Sequence, residues 1–233
     1  MTGKRIAASG VKHLGLIAAS VLMLGPFVWM LLSSLKNETA VFVFPVNWIP
    51  HPFQWSNYSQ AWHALPFGHA YLNSFYIAVV IVVGQLLTSA MAAYAFARLT
   101  FRFREPLFVI FLATMMIPYQ LTIIPMFLIM KELGLVDNHL SIILPNALYS
   151  AFGVFLLRQF IRSIPLELED AAAMDGANRW RTFWLIVLPM LRSPLSALAI
   201  FSFVAQWNNF LQPLIFLNTP QKFTVPVLVA QFV

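Results

Sequence analysis

Five apolar stretches dominate this chain, each close to the roughly 20 residues that a helix needs to cross the hydrocarbon of a bilayer. They run from Leu14 to Leu32, Tyr71 to Phe96, Leu107 to Met130, Leu140 to Leu157 and Pro194 to Leu217, and none contains Asp, Glu, Lys or Arg. In lipid every backbone polar group must be satisfied internally, and stretches of this length do so as α-helices. The expected fold is therefore an all-α integral membrane protein, a helical bundle of about five transmembrane helices. Composition agrees: 60% of the 233 residues are hydrophobic and 9% charged, whereas soluble domains run at about 45 to 50% and about 25%. Pro118 and Pro125 predict a kink or break in the third stretch.

Lys4, Arg5 and Lys12 precede the first stretch, as they would in a secretory signal. The "LLSSLKNETA" that follows offers no small-x-small cleavage site, so a retained anchor is expected, with 1–13 as a cytoplasmic tail. Counting Lys and Arg by loop then sets the orientation. With the N-terminus inside, the inner segments hold Lys4, Arg5, Lys12, Arg98, Arg102, Arg104, Arg158, Arg162, Arg179, Arg181 and Arg192, and the outer segments only Lys36, Lys131 and Lys222. This bias explains the net charge of +6 as topology, with no nucleic-acid partner. The transmembrane region is expected over 14–217, with 34–70 outside and 163–192 in the cytoplasm.

The segment 163–192 carries most of the remaining chemistry. Ser163 is read as an N-cap, with Pro165 in the first turn and Glu167, Glu169 and Asp170 complementing the helix dipole. Gly176 supplies the stop, so a three-turn helix is expected. Asn178 caps a second helix, in which Trp180, Phe183, Trp184, Val187, Leu188 and Leu191 recur on one face suited to the membrane interface. Pro189 interrupts it, and Ser193 with Pro194 reads as the cap and start of the last span. The small Ala171, Ala172 and Ala173 beside acids suit a docking knob for a cytoplasmic protein; an ordinary solvated linker is the alternative.

The spacing here resembles the EAA loop of membrane subunits of bacterial ABC importers: Glu-Ala-Ala, three residues, Gly, nine residues, then Ile-x-Leu-Pro. Asp170, Ala171 and Ala172 are followed by three residues to Gly176 and nine to Ile186, Leu188 and Pro189. Asp170 stands where the family usually has Glu, which keeps the charge and shortens the reach by one methylene. "ATMMIPYQLTIIPMF", "KELGLVDNHLSIILP", "AFGVFLLRQFIRSIP" and "QWNNFLQPLIFLN" are similar to the second permease of sugar importers of the maltose type. The resemblance implies a heterodimer with a second permease, two cytoplasmic ATPase subunits gripping the EAA loops, and an extracytoplasmic solute-binding protein. It also implies ATPase coupling through Glu169, Asp170, Ala171, Ala172, Ala173, Asp175, Gly176, Ile186, Leu188 and Pro189. Such permeases carry six helices, so 218–233 is expected to lead toward a sixth absent from this sequence.

No G-x-x-x-x-G-K-[ST] phosphate loop occurs, and Gly3-Lys4 in the tail is the sequence's one Gly-Lys. The expected chain is thus non-catalytic, binding no cofactor itself, with ATP and Mg on the partner ATPases. Polar side chains within the spans face either a neighbouring helix or a pathway. Candidates for the pathway are Asn73, Gln85, Thr88, Gln120, Thr122, Asn146, Gln206, Trp207, Asn208 and Asn209, with 206–209 favoured because aromatic faces beside amides suit sugar rings. The histidines, His51, His63 and His69 together with His13 and His139, show no metal-ligand spacing and are read as solvated. The Pro- and Trp-rich 44–67 is a place for the binding protein to touch. An intramembrane enzyme or an ion-coupled secondary transporter would need titratable side chains that the spans lack, and a membrane scaffold leaves the EAA spacing unexplained.

Overall fold

The computed structural model describes residues 2–231, with side chains from Lys12 onward. The side chains of Lys4 and Arg5, and the last two residues of 218–233, lie outside the described set. The chain forms two compact units, 1–65 and 66–233. No strand occurs among the described residues.

The first unit consists of α1 (Thr2–Ser34), α2 (Glu38–Val41) and α3 (Ser56–Ala64). Residues 12–34 of α1 are long and apolar enough to span a membrane. Asn57 on α3 donates its amide to the carbonyls of Ser34 (3.0 Å) and Lys36 (2.8 Å), two of the acceptors left open past the end of α1.

The second unit is organised around α4 (Phe67–Arg98), which packs against α7 (Leu140–Leu148), α8 (Ala151–Ser163) and α12 (Arg192–Trp207). Its buried residues, from Ala70, Ser74 and Ile77 through Ile81 and Gln85 to Ser89 and Ala93, recur every three or four positions and form one face. Helices in lipid gain little from hiding apolar surface, so close van der Waals packing must hold them, and small residues permit it. A Cβ on Gly84 would lie 2.7 Å from Cβ of Ala147, and one on Gly153 would lie 2.6 Å from Oγ of Ser89. Thr88 reinforces the first crossing by donating to the carbonyl of Ala147 at 3.1 Å. Gln85 is buried on the same face. Gln85 and Thr88 thus serve packing on this surface.

The third expected stretch is two helices, α5 (Arg104–Ala113) and α6 (Tyr119–Glu132), bent by 100°. The break falls at Ile117, held in extended backbone (φ −82°, ψ 115°) by the ring of Pro118. Pro125 stays inside α6. The fourth is α7 followed by α8, whose N-cap Ser150 accepts from the amide of Gly153 at 3.1 Å. The fifth ends early: α12 stops at Trp207, and α13 (Leu211–Phe216) follows, with α14 (Val225–Ala230) after it. Asn208 takes the C-cap and turns its amide back onto the Val204 carbonyl at 2.8 Å, the local competition that makes Asn a poor helix interior. α12 itself begins at Arg192 with Leu191 as N-cap, so Ser193 is not the cap that its sequence context suggests.

At the end of α4 away from Arg98, a latch gathers the segment after α13. The Asp137 carboxylate accepts from the amides of Asn218 (2.9 Å) and Thr219 (3.0 Å), from the Thr219 hydroxyl (2.6 Å) and from the Lys222 ammonium (2.8 Å). The Lys222 ammonium, and next the Thr219 hydroxyl, hold that carboxyl well below the usual carboxylate range. His139 binds the Lys222 carbonyl through Nε2 (2.8 Å) and the Tyr76 hydroxyl through Nδ1. A carbonyl only accepts, so Nε2 carries the proton. His139 is therefore a structural partner and not a solvated loop residue.

Candidate functional site

Between α8 and α12 the chain leaves the bundle and returns. Ile164 is extended (φ −74°, ψ 128°) ahead of Pro165, which ends α8, and α9 (Glu167–Met174) starts with Leu166 as N-cap. Ser163 does not cap it; its hydroxyl folds back onto the Phe160 carbonyl at 2.7 Å, within the last turn of α8. At eight residues, α9 makes little more than two turns, shorter than expected. Its stop is the expected one: Gly176 adopts φ +80°, its amide donates to Ala173 (3.0 Å), and that of Ala177 donates to Ala172 (2.9 Å). That pair of bonds is the Schellman closure, which needs the left-handed conformation glycine adopts without strain.

The two faces of α9 differ. Glu169, 4% exposed, and Ala172 are buried. Glu169 accepts from Nε of Arg98 at 2.6 Å and from the Tyr94 hydroxyl at 3.2 Å, with Arg179 3.9 Å away. Arg98, the last residue of α4, also donates to the Ile164 carbonyl at 2.6 Å. One guanidinium thus fixes both the start of the loop and α9 itself. On the opposite face Asp170, Ala171, Ala173, Met174 and Asp175 are exposed, Met174 to 89%.

The return limb opens with α10 (Arg179–Thr182), whose N-cap Asn178 accepts from the amide of Arg181 at 2.8 Å, as its sequence position implies. A π-helical turn over Phe183–Val187 leads into α11 (Leu188–Met190). Pro189 lacks an amide proton, and its ring would clash with the carbonyl four residues earlier, that of Leu185; widening the turn accommodates it. Phe183, Val187 and Leu191 are buried in the main core with Leu157, Ile161 and Leu198. The stripe expected at the membrane interface therefore packs largely against the bundle, because the wider turn aligns positions four apart on its inner side. Trp180 is exposed, Trp184 and Leu188 are half-buried, Ile186 likewise, and Pro189 is exposed. Trp180, Phe183 and Arg179 also line a cavity of about 280 Å³ with Met91, Tyr94 and Leu99.

Arg158 of α8 is buried, pairs with Glu105 at 2.8 Å and lies 3.9 Å from the ring centroid of Phe108. Arg98 and Arg158, counted among loop charges in the sequence, are thus helix residues with structural partners.

The polar residues expected along a pathway divide. Asn73 donates to the carbonyls of Gln221 (2.8 Å) and Phe223 (3.1 Å), so it belongs to the latch. Asn146 and Asn209 both donate to Oε1 of buried Gln212, at 2.8 and 3.3 Å, tying α7 to α13. All three join separate elements of the second unit through these bonds. Thr122 bonds within α6 to the Tyr119 carbonyl at 2.9 Å. Gln120 is exposed near the α5–α6 bend. Trp207 and Asn208 remain together: with Phe75, Phe203 and Val204 they line a cavity of about 270 Å³. Trp207 stacks on Phe203 at 5.8 Å between centroids, with Tyr71 tilted against it at 6.2 Å. The neighbouring Gln206 keeps a buried Oε1 without a hydrogen-bond donor.

Residues 85–232 match the family described as "Binding-protein-dependent transport system inner membrane component". This chain belongs to that family. It is 36% identical to the diacetylchitobiose uptake system permease protein NgcG of Streptomyces coelicolor, across 94% of this chain and 71% of that one. It is also 36% identical to the sn-glycerol-3-phosphate transport system permease protein UgpE of Yersinia pestis, across 87% and 74%. A solved bacterial ABC transporter involved in the import of the acidic polysaccharide alginate superposes with a TM-score of 0.81 at 27% identity, covering 99% of this chain and 80% of that chain.

The family is one of multi-pass, non-catalytic membrane subunits of ABC importers, which work in general with a partner permease, an ATPase and a solute-binding protein. Scaffold and secondary-transporter readings find no support in it. Among the described residues, no group of three His, Cys, Asp or Glu could hold a metal ion. Sequence reasoning missed Tyr94, Arg98 and Arg179, the partners of Glu169. A basic residue closing a 26-residue uncharged stretch, as Arg98 does two positions after Phe96, was the available signal.

Proposed function

We propose that this chain is one permease of a heterodimeric importer for a sugar or related polyol, with its N-terminus cytoplasmic and α9 as the contact for an ATPase. The two-faced construction of α9 carries this reading. A solvated linker has no need of a buried carboxylate clamped to α4, whereas a helix that transmits force must be fixed on one side and free on the other. Asp170, Ala171, Ala173, Met174 and Asp175 form the free side. Gly176, Ile186, Leu188 and Pro189 shape its exit, and Glu169 and Ala172 anchor it. Asp170 faces outward and leaves its carboxylate for the ATPase, while the glutamate one residue earlier is the structural one.

Movement of α9 acts on α4 through Arg98. α4 has 32 residues, about 48 Å at 1.5 Å per residue, and its far end carries Tyr71 beside Trp207. The Tyr71–Trp207–Phe203 face is the candidate surface for sugar rings, with Asn208 for hydroxyls. ATP binding then shifts the balance between two states by its different affinity for each. ATP and Mg reside on the ATPases, and the solute-binding protein delivers substrate.

The 233 residues contain no cysteine, so Met174→Cys gives a unique probe. Maleimide labelling should be rapid in the permease pair alone and at least about tenfold slower with the ATPase bound. Equal rates would remove α9 from the ATPase interface. Trp207→Ala should lower uptake while leaving ATPase recovery unchanged.

A further inference from the structure

Two residues beyond α1, Lys36 is buried at 3% exposure, and its ammonium has no hydrogen-bond acceptor. It lies 4.1 Å from the ring centroid of Trp29, which packs edge-on against Trp48 at 5.2 Å. An ammonium withdrawn from water demands compensation, and a ring face supplies only part of what an anion would. The backbone is held there: the Lys36 carbonyl accepts from Asn57, and that of Leu35 accepts from the amide of Gln54 at 2.9 Å. Lys36 lines a cavity of about 230 Å³ together with Asn37, Asn47 and His51, side chains that carry hydrogen-bonding groups. In the chain that follows, Phe42 and Phe44 are 90% and 92% exposed, and Trp48 and the cavity-lining Ile49 are exposed too.

We propose that this pocket holds the phosphodiester of an anionic phospholipid headgroup, with Phe42 and Phe44 set among the acyl chains. The placement favours a lipid over an acidic protein side chain. A span candidate ends at Ser34, Trp residues mark the membrane–water interface, and phenyl rings at 90% exposure lose least in hydrocarbon. The Lys36 ammonium suits one phosphodiester charge; a zwitterionic lipid would bring a second ammonium against it. The inference rests on α1 being a membrane span, and it is independent of where the ATPase and the sugar bind.

The test is native mass spectrometry of the assembled importer in detergent, titrated with phosphatidylglycerol, with phosphatidylcholine or with inorganic phosphate. The wild type should retain phosphatidylglycerol, and Lys36→Met, which keeps the stem over Trp29, should lower its occupancy about fivefold. Lys36→Arg should retain it. Should Lys36→Met fail to assemble, Asn47→Leu, which removes a donor and leaves the ammonium, should show the loss. Undiminished phosphatidylglycerol in the charge-removing variant overturns the proposal, as does equal retention of phosphatidylcholine or protection by inorganic phosphate alone. Weaker capture of the solute-binding protein with unchanged lipid would overturn it in favour of an acidic protein side chain. Recovery of each variant in the membrane fraction reports separately on the span.

Discussion

Truncating Glu169 to alanine should free α9 from the bundle. The side chains of Arg98 and Glu169 are 7% and 2% exposed and 2.6 Å apart. Removing one partner of such a pair costs about 3–5 kcal/mol, because the other is left as an uncompensated buried charge. Arg98 would keep only the Ile164 carbonyl. The Arg179 contact adds little, since it spans 3.9 Å and that side chain is 70% exposed. At 1.4 kcal/mol per tenfold, the undocked population of α9 should rise roughly 140- to 3,700-fold. Ala172→Cys, on the buried face, reads that population as a maleimide labelling rate. Glu169→Ala should raise the rate by at least about 100-fold, while Asp170→Ala on the exposed face should leave it within about threefold. Combining Glu169→Ala with Arg98→Met removes both charges, and the rate should fall back toward wild type. A Glu169→Ala rate within threefold of wild type, or no recovery in the double variant, would refute the anchoring role of this pair.

Gly176→Ala should cost about 1–2 kcal/mol by forcing a side chain into the left-handed conformation, seen as faster proteolysis between α9 and α10. Gly84→Ala should destabilise the α4–α7 crossing by about 1–3 kcal/mol, since its Cβ would meet backbone of Ala147 at 3.3 Å as well as its Cβ; thermal unfolding in detergent measures this. The latch should be unusually acid-resistant. Asp137 has a lowered folded pKa, so its contribution is full above the ordinary carboxylate value of about 3.9 and is lost only as pH falls through the folded value. Hydrogen exchange over residues 217–225 should stay protected from pH 7 to about 4, and Asp137→Asn should abolish the drop below it; a wild-type loss of protection well above pH 4 would contradict the role given to Asp137.

The sequence was most legible where a structure is decided within a few residues. Gly176 and Asn178 act through bonds to amides and carbonyls three to five positions away, and Ile117 through its proline neighbour, so stop, cap and break all follow from local rules. Ser163 shows the limit of that method: a capping residue in the right context still belonged to the preceding helix, because Pro165 displaced the start of α9 to Leu166. Long-range partners were not legible. Arg98 and Glu169 are 71 positions apart, and an arginine at the end of a span looks the same whether it meets water or a buried carboxylate. Asn73 and Asn146 were ambiguous for a related reason, since an amide in a span signals that a partner exists and not whether it is a substrate or another protein group. The phase of the stripe from Phe183 to Leu191 depended on a π-turn, which shifts helical register and leaves apolar spacing ambiguous.

Co-purification with the ATPase and the partner permease, wild type beside Asp170→Lys, tests the central claim most directly. Asp170 makes no contact that holds α9 in place, so the variant should fold, remain in the membrane and keep the partner permease while losing the ATPase. Recovery of the ATPase at the wild-type level would contradict the account and reduce the exposed face of α9 to a linker.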